Sequence, residues 1–508
     1  MKAIVLAGMI GMAGAFLSVG PIAASPGDVI WEFPVEGKVI ASPALDRDGT
    51  AYFGIQTGVE AEDRPSSFYA VHADGTLKWR TGLPDWVRAT AALADGRVYV
   101  PCFDTGLYCL DQATGEILWR SDTAGVLESS PAVDSLGRIY FGSEDRLFRA
   151  IDPEGELLWW VLLDGGIFSS PLIDEVSGRL YVADKSNTIH AIDFSGNLRW
   201  SYRPRQGSIE GRRLRFLSSP ALGTDGRLFI GSGDRYVYCL DAEEGTLLWR
   251  HLTEGLVDSS PVLGRDGRVI VANRAGECLA LASDVVESSA RVLWAANVGQ
   301  VFYASPTLDR NGDVYMCGFP PTEPGAIPRS RLACLSGGTG EEIWSVMIDG
   351  FNDSSPTLDR EGHLVLGTTA NRLWKIEGNG RMVEDTSWPM FGGTSERVGR
   401  FEITYSQWSR QNGLPAGSSL QDPDKDGISN VVEFAIGTGP LAADLRLTNP
   451  FQTIRLVNGR PQLIFRSAKG VRVEGTIEET EDFRHWNPFR RHPSETRFQD
   501  WQTFWLIG

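Results

Sequence analysis

The chain is 508 residues long, 42% hydrophobic and 22% charged, a globular composition with length for one very large domain or several ordinary ones. Its formal charge of −17 argues against a nucleic-acid partner, because nothing offsets phosphate repulsion over most of the surface. The 57 glycines, 27 prolines and 16 tryptophans point to many turns and many large packing anchors.

In chain order, the first element is a leader. Residues 1–24, MKAIVLAGMIGMAGAFLSVGPIAA, carry one basic residue (Lys2), an apolar run of small residues, and a small-residue end at Ala23 and Ala24. This is the pattern of a secretory signal peptide cut after Ala24. The run is Gly-rich and barely long enough to span a bilayer, so an anchor is the weaker reading. No Cys follows it for lipid attachment, and no later segment is apolar enough to cross a membrane. The expected protein is exported to the periplasm, cell surface or medium, has no transmembrane segment after leader removal, and is monomeric.

A repeat then dominates residues 28–395. A Ser-Pro landmark recurs at Pro43, Pro131, Pro171, Pro220, Pro261, Pro306 and Pro356, and RATAALADG is a degenerate eighth copy with Ala91 in the Pro slot. After each landmark comes a run such as GRIYFGS, a turn, a run such as FRAID or VYCLD, a second turn and an apolar stretch. That stretch ends in Trp, and Trp31, Trp79, Trp119, Trp159, Trp200, Trp249, Trp294, Trp344 and Trp388 mark the walk. Short alternating runs split by Gly, Asp and Asn turns are strands, and four strands in roughly 40–50 residues is one β-propeller blade. Eight copies predict eight blades. The last copy lacks a fourth strand, and DVIWEFPVEG near Trp31 is a fourth strand lacking its first three, so the N-terminus is expected to complete the last blade and close the ring. In YCLDQATGEILW (108–119) the Thr-Gly supplies the reversal. The Trp then sits on the outermost strand, where its face packs on the next blade and its indole N–H reaches a backbone carbonyl.

YCLDQATGEILW, ACLSGGTGEEIW and YCLDAEEGTLLW resemble the tryptophan-docking repeat of the quinoprotein (PQQ-type) propellers. WPMFGG from Trp388 is similar to a segment common near the ends of these propellers. The resemblance covers about residues 28–395 and implies either a PQQ dehydrogenase or a non-enzymatic relative of the BamB kind. A dehydrogenase of that family implies a calcium-bound quinone at the channel mouth, a catalytic Asp and often a disulfide between adjacent cysteines. This chain has no adjacent cysteine pair, no Cys-x-x-Cys-His haem motif, and few long loops to roof a cofactor. PQQ is therefore not expected. The chain also departs from the assembly lipoproteins, lacking the lipidated Cys and carrying a C-terminal extension.

Three residues ahead of each Pro slot, the repeat places Ile40, Arg88, Glu128, Phe168, Leu217, Asp258, Tyr303 and Asp353 at the channel mouth. Arg88, Glu128, Phe168, Asp258, Tyr303 and Asp353 are candidates for holding a small polar ligand or cation; polar groups that merely hydrate the mouth are the favoured alternative. Two insertions interrupt the blades. One puts Arg203, Arg205, Arg212, Arg213 and Arg215 in a single loop, and the other, 317–330, is Pro-rich. Of the six cysteines, Cys102 with Cys109 and Cys317 with Cys334 flank turns and could pair across strands. Yet Cys109, Cys239 and Cys334 stand where other repeats have Ala70, Ala150 and Ala191, which favours small buried residues.

Beyond Arg400 the repeat stops, and 401–440 holds DPDKDGISNVVE. Asp422, Asp424, Asp426, Asn430 and Glu433 stand at positions one, three, five, nine and twelve of a calcium loop. Gly427 provides the bend at six and Ile428 a carbonyl at seven. The preceding helix is interrupted by GLPAGSSLQ, so the loop resembles those of dockerin or thrombospondin type 3 repeats and is expected to brace structure. Residues 441–508 read as a small β-rich module. The whole is expected to be an all-β protein, an eight-bladed propeller with a calcium-loop and β-rich tail. Its expected role is a non-enzymatic scaffold for a protein or cell-envelope partner, against a competing PQQ- and calcium-dependent alcohol or sugar dehydrogenase.

Overall fold

The computed structural model describes residues 24–58, 65–204, 215–283, 289–321, 327–380, 390–395, 397 and 399–401, together with four strands between 451 and 486. The leader, Arg205, Arg212, Arg213, Trp388 and the calcium loop lie outside the described residues. Eight four-stranded antiparallel blades span 44–83, 92–122, 132–162, 172–202, 221–252, 262–297, 307–349 and 357–377, the last completed by Val29–Pro34. The N-terminal strand pairs with Arg372–Glu377 through Trp31↔Lys375 and Phe33↔Leu373, so the first strand and the last blade's strands share one sheet and the ring has no seam edge. The strands Phe451–Val457, Arg460–Arg466, Arg472–Glu478 and His485–Trp486 form a separate four-stranded sheet. No helix among the described residues is long and apolar enough to cross a membrane.

Burial explains the repeat. The two middle strands of each blade are covered on both faces by neighbouring blades, so Ile139–Gly142 and Leu147–Ile151 are almost wholly buried and read as continuous apolar runs. The outermost strand alternates, as in Leu157–Leu162. The second strand often ends in glycine because the next blade's incoming chain crosses there. A Cβ on Gly142 would lie 2.2 Å from Ile167 and one on Gly231 2.5 Å from Val257.

The Trp belongs to the scaffold. In seven blades its indole N–H donates to a carbonyl in the outer turn of the following blade at 2.8–3.3 Å. Its ring covers the glycine of that turn: Gly155, at φ +91°, leaves a Cβ only 2.9 Å from Trp119. Directly across the strand pair from the Trp stands a small residue in seven blades: Ala70, Ala150, Ala191 and Ala280, but Cys109, Cys239 and Cys334 in others; in the eighth it is Lys375. All six cysteines are free and buried, and burial pushes the Cys102 and Cys109 thiols up to about 12.

The Ser-Pro landmark also has a structural role. The backbone N–H of its Ser donates to the Ser hydroxyl of the next blade: Ser130 to Ser170 at 3.1 Å, Ser170 to Ser219, Ser219 to Ser260, Ser260 to Ser305 and Ser305 to Ser355, each at 2.9 Å. Thr90 to Ser130 and Ser355 to Ser42 carry the relay further, at 3.0 and 2.9 Å. This circle satisfies innermost backbone donors that have no strand partner.

Candidate functional site

The mouth residues sit on the chain entering each innermost strand, just outside the serine circle. Asp258 and Leu217 are 5% exposed, and the other six are half-buried. The structure brings several of them together. The rings of Phe168 and Tyr303, from the fourth and seventh blades, meet with centroids 5.9 Å apart. Asp258 accepts the Arg274 Nε–H at 2.6 Å, and that guanidinium lies over both Phe302 and Tyr303, 5.3 and 5.5 Å from their centroids. Glu128 accepts from Lys185 at 2.9 Å; Lys185 also bonds Glu144 and stands 5.5 Å over the Phe168 ring. Arg88 lies over Phe103. No described group hydrogen-bonds the Asp353 carboxylate, and Ile40 offers only apolar surface.

Burial raises both aspartates above the ordinary carboxylate range. Asp258 is held back by Arg274 and more weakly by Arg215, and Asp353 by Arg88 and Arg274. The mouth is thus a mixed-charge surface with an aromatic bridge, in which Asp258 and Glu128 are already paired and Arg88 and Asp353 remain free of direct ion pairs among the described residues.

Lys185, Arg274 and Glu144 were not among the residues read from sequence. They share a register position, just past the second strand, with Phe103. Aligning the repeats on GSE, ADK, ANR and PCF would have found this second rim. Elsewhere, Asp359, Glu361 and His363 cluster closely enough to suggest a metal site, but Asp359 already takes His363 Nδ1 at 2.9 Å and Lys375 Nζ at 3.0 Å. Burial would raise the Asp359 carboxyl, and the His363 hydrogen bond and Lys375 charge more than reverse it.

Behind the serine circle the chain itself enters the axis. The described residues between 390 and 401 bond to the innermost strands of several blades. Met390 bridges Thr307 on the seventh blade's innermost strand, the Ser395 carbonyl accepts the Leu45 N–H at 2.8 Å, and the Gly399 carbonyl accepts the Ile173 N–H at 2.8 Å. Arg400–Phe401 then adds a parallel fifth strand to the fourth blade. The propeller therefore uses the chain as far as Phe401, six residues past the end of the repeat pattern at 395.

The family model described as outer membrane protein assembly factor BamB matches residues 104–221 and 206–300. No curated protein sequence matches the chain. Among solved structures, BamB from Moraxella catarrhalis superimposes with a TM-score of 0.53 at 15% identity, over 69% of this chain and 99% of that one. The computationally designed Ika8 protein gives 0.54 at 14% identity, over 69% and 100%. Quinohemoprotein alcohol dehydrogenase from Comamonas testosteroni gives 0.54 at 14% identity, over 70% and 77%. The fold is an eight-bladed β-propeller, and its repeats over residues 104–300 are similar to those of the BamB assembly-factor family. At these identities the structural likeness speaks for architecture and leaves activity to the site.

Proposed function

We propose that this propeller is an exported, non-enzymatic scaffold that binds a protein or cell-envelope partner, with the channel mouth as its contact face. The observation that carries the reading is the occupancy of the axis by the protein's own groups. Phe168 meets Tyr303 across the mouth, Arg274 and Lys185 are engaged by Asp258, Glu128 and Glu144, and the described residues of 390–401 bond the innermost strands behind them. The rim that remains, with Arg88, Asp353 and the exposed Phe351, suits a surface contact of mixed polarity. The match to an outer membrane protein assembly factor supports a partner of the envelope.

The test is a calorimetric titration of the mature protein with PQQ, with and without calcium, followed by a dye-linked alcohol and aldose assay. No saturable PQQ heat is expected. Saturable binding with turnover would overturn the scaffold reading and make Asp258 and Asp353 the catalytic candidates. The C-terminal loop is proposed to hold one calcium through Asp422, Asp424, Asp426, the Ile428 carbonyl, Asn430 and Glu433, with a dissociation constant of about 0.1–1 mM, as for extracellular modules. Calcium heat that persists in an Asp422→Ala, Asp426→Ala variant would refute that assignment.

A further inference from the structure

The outer edge of the third blade differs from the edges of its neighbours. Its last strand, Leu157–Leu162, reads LLWWVL and has no charged residue. Leu157, Leu158, Trp160 and Leu162 are 48–56% exposed. The residue after the docking Trp is Glu32, Arg80, Arg120 or Arg250 in blades eight, one, two and five, and Ser or Ala in the remaining three; in the third blade it is Trp160. Leu162 likewise stands where the second blade has Asp122. Charges at such positions keep an open strand edge from pairing with another chain. Here they are replaced by large apolar groups.

That edge is open. The blade's sheet ends on Leu157–Leu162, which pairs only with Leu147–Ile151, so alternate N–H and C=O groups of the strand point outward without a strand partner. Trp159 turns to the fourth blade, where its indole N–H reaches the Phe194 carbonyl at 2.9 Å. Leu158, Trp160 and Leu162 share the opposite face. The two ends of the strand carry opposite charge. Glu156 precedes it, exposed and without an ion pair among the described residues. Arg146, also exposed, stands beside the far end, where its carbonyl accepts the Leu163 N–H at 2.9 Å. Asp164 at that end is matched by Arg203 at 3.4 Å, which leaves the Arg146 charge uncompensated.

We propose that this edge joins two copies of the chain, antiparallel and about a two-fold axis, so that the two third blades form one continuous sheet. An isologous contact needs a surface complementary to itself. An uncharged strand of Leu, Val and Trp meets that need, and antiparallel pairing sets each copy's Glu156 toward the other's Arg146. A net charge of −17 makes two copies repel over most of their surface, and this neutral strand is where they approach at least cost. Its four exposed side chains offer roughly 400 Å², about half of what each partner in a stable interface buries. Ile117, Leu118 and Leu198, exposed on the outer strands of the flanking blades, add to it. The contact lies on the ring's perimeter, so it goes beyond the scaffold reading, stands whatever the mouth binds, and makes the expected monomer a dimer.

The experiment uses the mature protein. Sedimentation velocity over a concentration series reads its mass, and hydrogen exchange reads the backbone amides of 157–162. The expected result is a concentration-dependent dimer in which exchange along that strand slows as the dimer forms. Trp160→Arg gives the blade the residue that blades one, two and five already carry, and weakens dimerisation by roughly 100-fold while the far-UV spectrum stays the parent's. Leu162→Asp, the second blade's residue, does the same and remains informative if the Trp160 variant does not fold. Glu156→Arg weakens the dimer several-fold, and adding Arg146→Glu to it restores the parent's value. A chain monomeric at every concentration, a dimer that Trp160→Arg and Leu162→Asp both leave intact, or exchange in 157–162 that slows only when a different protein is added would each overturn the proposal.

Discussion

Trp294 and Trp344 occupy equivalent positions in adjacent blades and differ in one hydrogen bond. The Trp294 indole N–H reaches the Gly337 carbonyl at 2.8 Å, and its ring covers Gly340. Trp344 covers Gly27, yet its indole N–H is buried with no partner among the described residues. The outer turn it faces is assembled from two separate stretches of chain, where Gly27 donates to the Glu377 carbonyl and Glu377 to that of Asp28. Replacing each Trp by Phe trims a similar amount of ring. At 294 the change also deletes a hydrogen bond with a net value of about 1 kcal/mol. At 344 it removes an unsatisfied donor whose desolvation costs roughly 1–3 kcal/mol. Trp294→Phe is therefore expected to be less stable than Trp344→Phe by about 2–4 kcal/mol. Urea denaturation followed by far-UV circular dichroism reads this as a difference in midpoint at unchanged m. Equal losses in the two variants would refute the claim that the girdle's indole hydrogen bonds stabilise the ring.

Gly155→Ala places a Cβ on Trp119 at a left-handed backbone position; the conformation alone costs about 1–2 kcal/mol, and a melt no lower than the parent's would contradict the packing. Arg274→Ala leaves Asp258 buried without its ion pair and is expected to destabilise by about 3 kcal/mol, while Arg274→Lys recovers part of the loss. Asp353 has a raised folded-state pKa, so the stability linked to its neutral form is complete below the ordinary carboxylate pKa and is lost as pH rises through the raised one. Asp353→Asn should then melt higher than the parent at neutral pH and converge with it in acid, and a constant gap across pH 4–8 would rule this out. Phe33→Pro, within the closing strand paired to Leu373, removes a ladder donor and should open the eighth blade, seen as increased protease cleavage near the N-terminus.

Sequence alone determined the blade count, the strand order and the closure, because each is a matter of repeat period and short-range alternation. It also placed the Trp and the small residue opposite it, since both recur at fixed spacing. Phe168, Tyr303, Asp258 and Asp353 were legible as mouth residues by their shared offset from the Pro slot. Their partners were not, because Arg274 and Lys185 stand in a second register whose side chains differ from blade to blade. Only the closed ring decided that Phe168 meets Tyr303 from a blade three positions away, and that Arg88 and Arg274 both act on Asp353. Nothing in FGGTSERVGR marks Arg397 as a deeply buried charge. Its environment is made by blades one, three, four, five, seven and eight converging on the axis, a convergence that local sequence cannot encode because it exists only once the ring has closed.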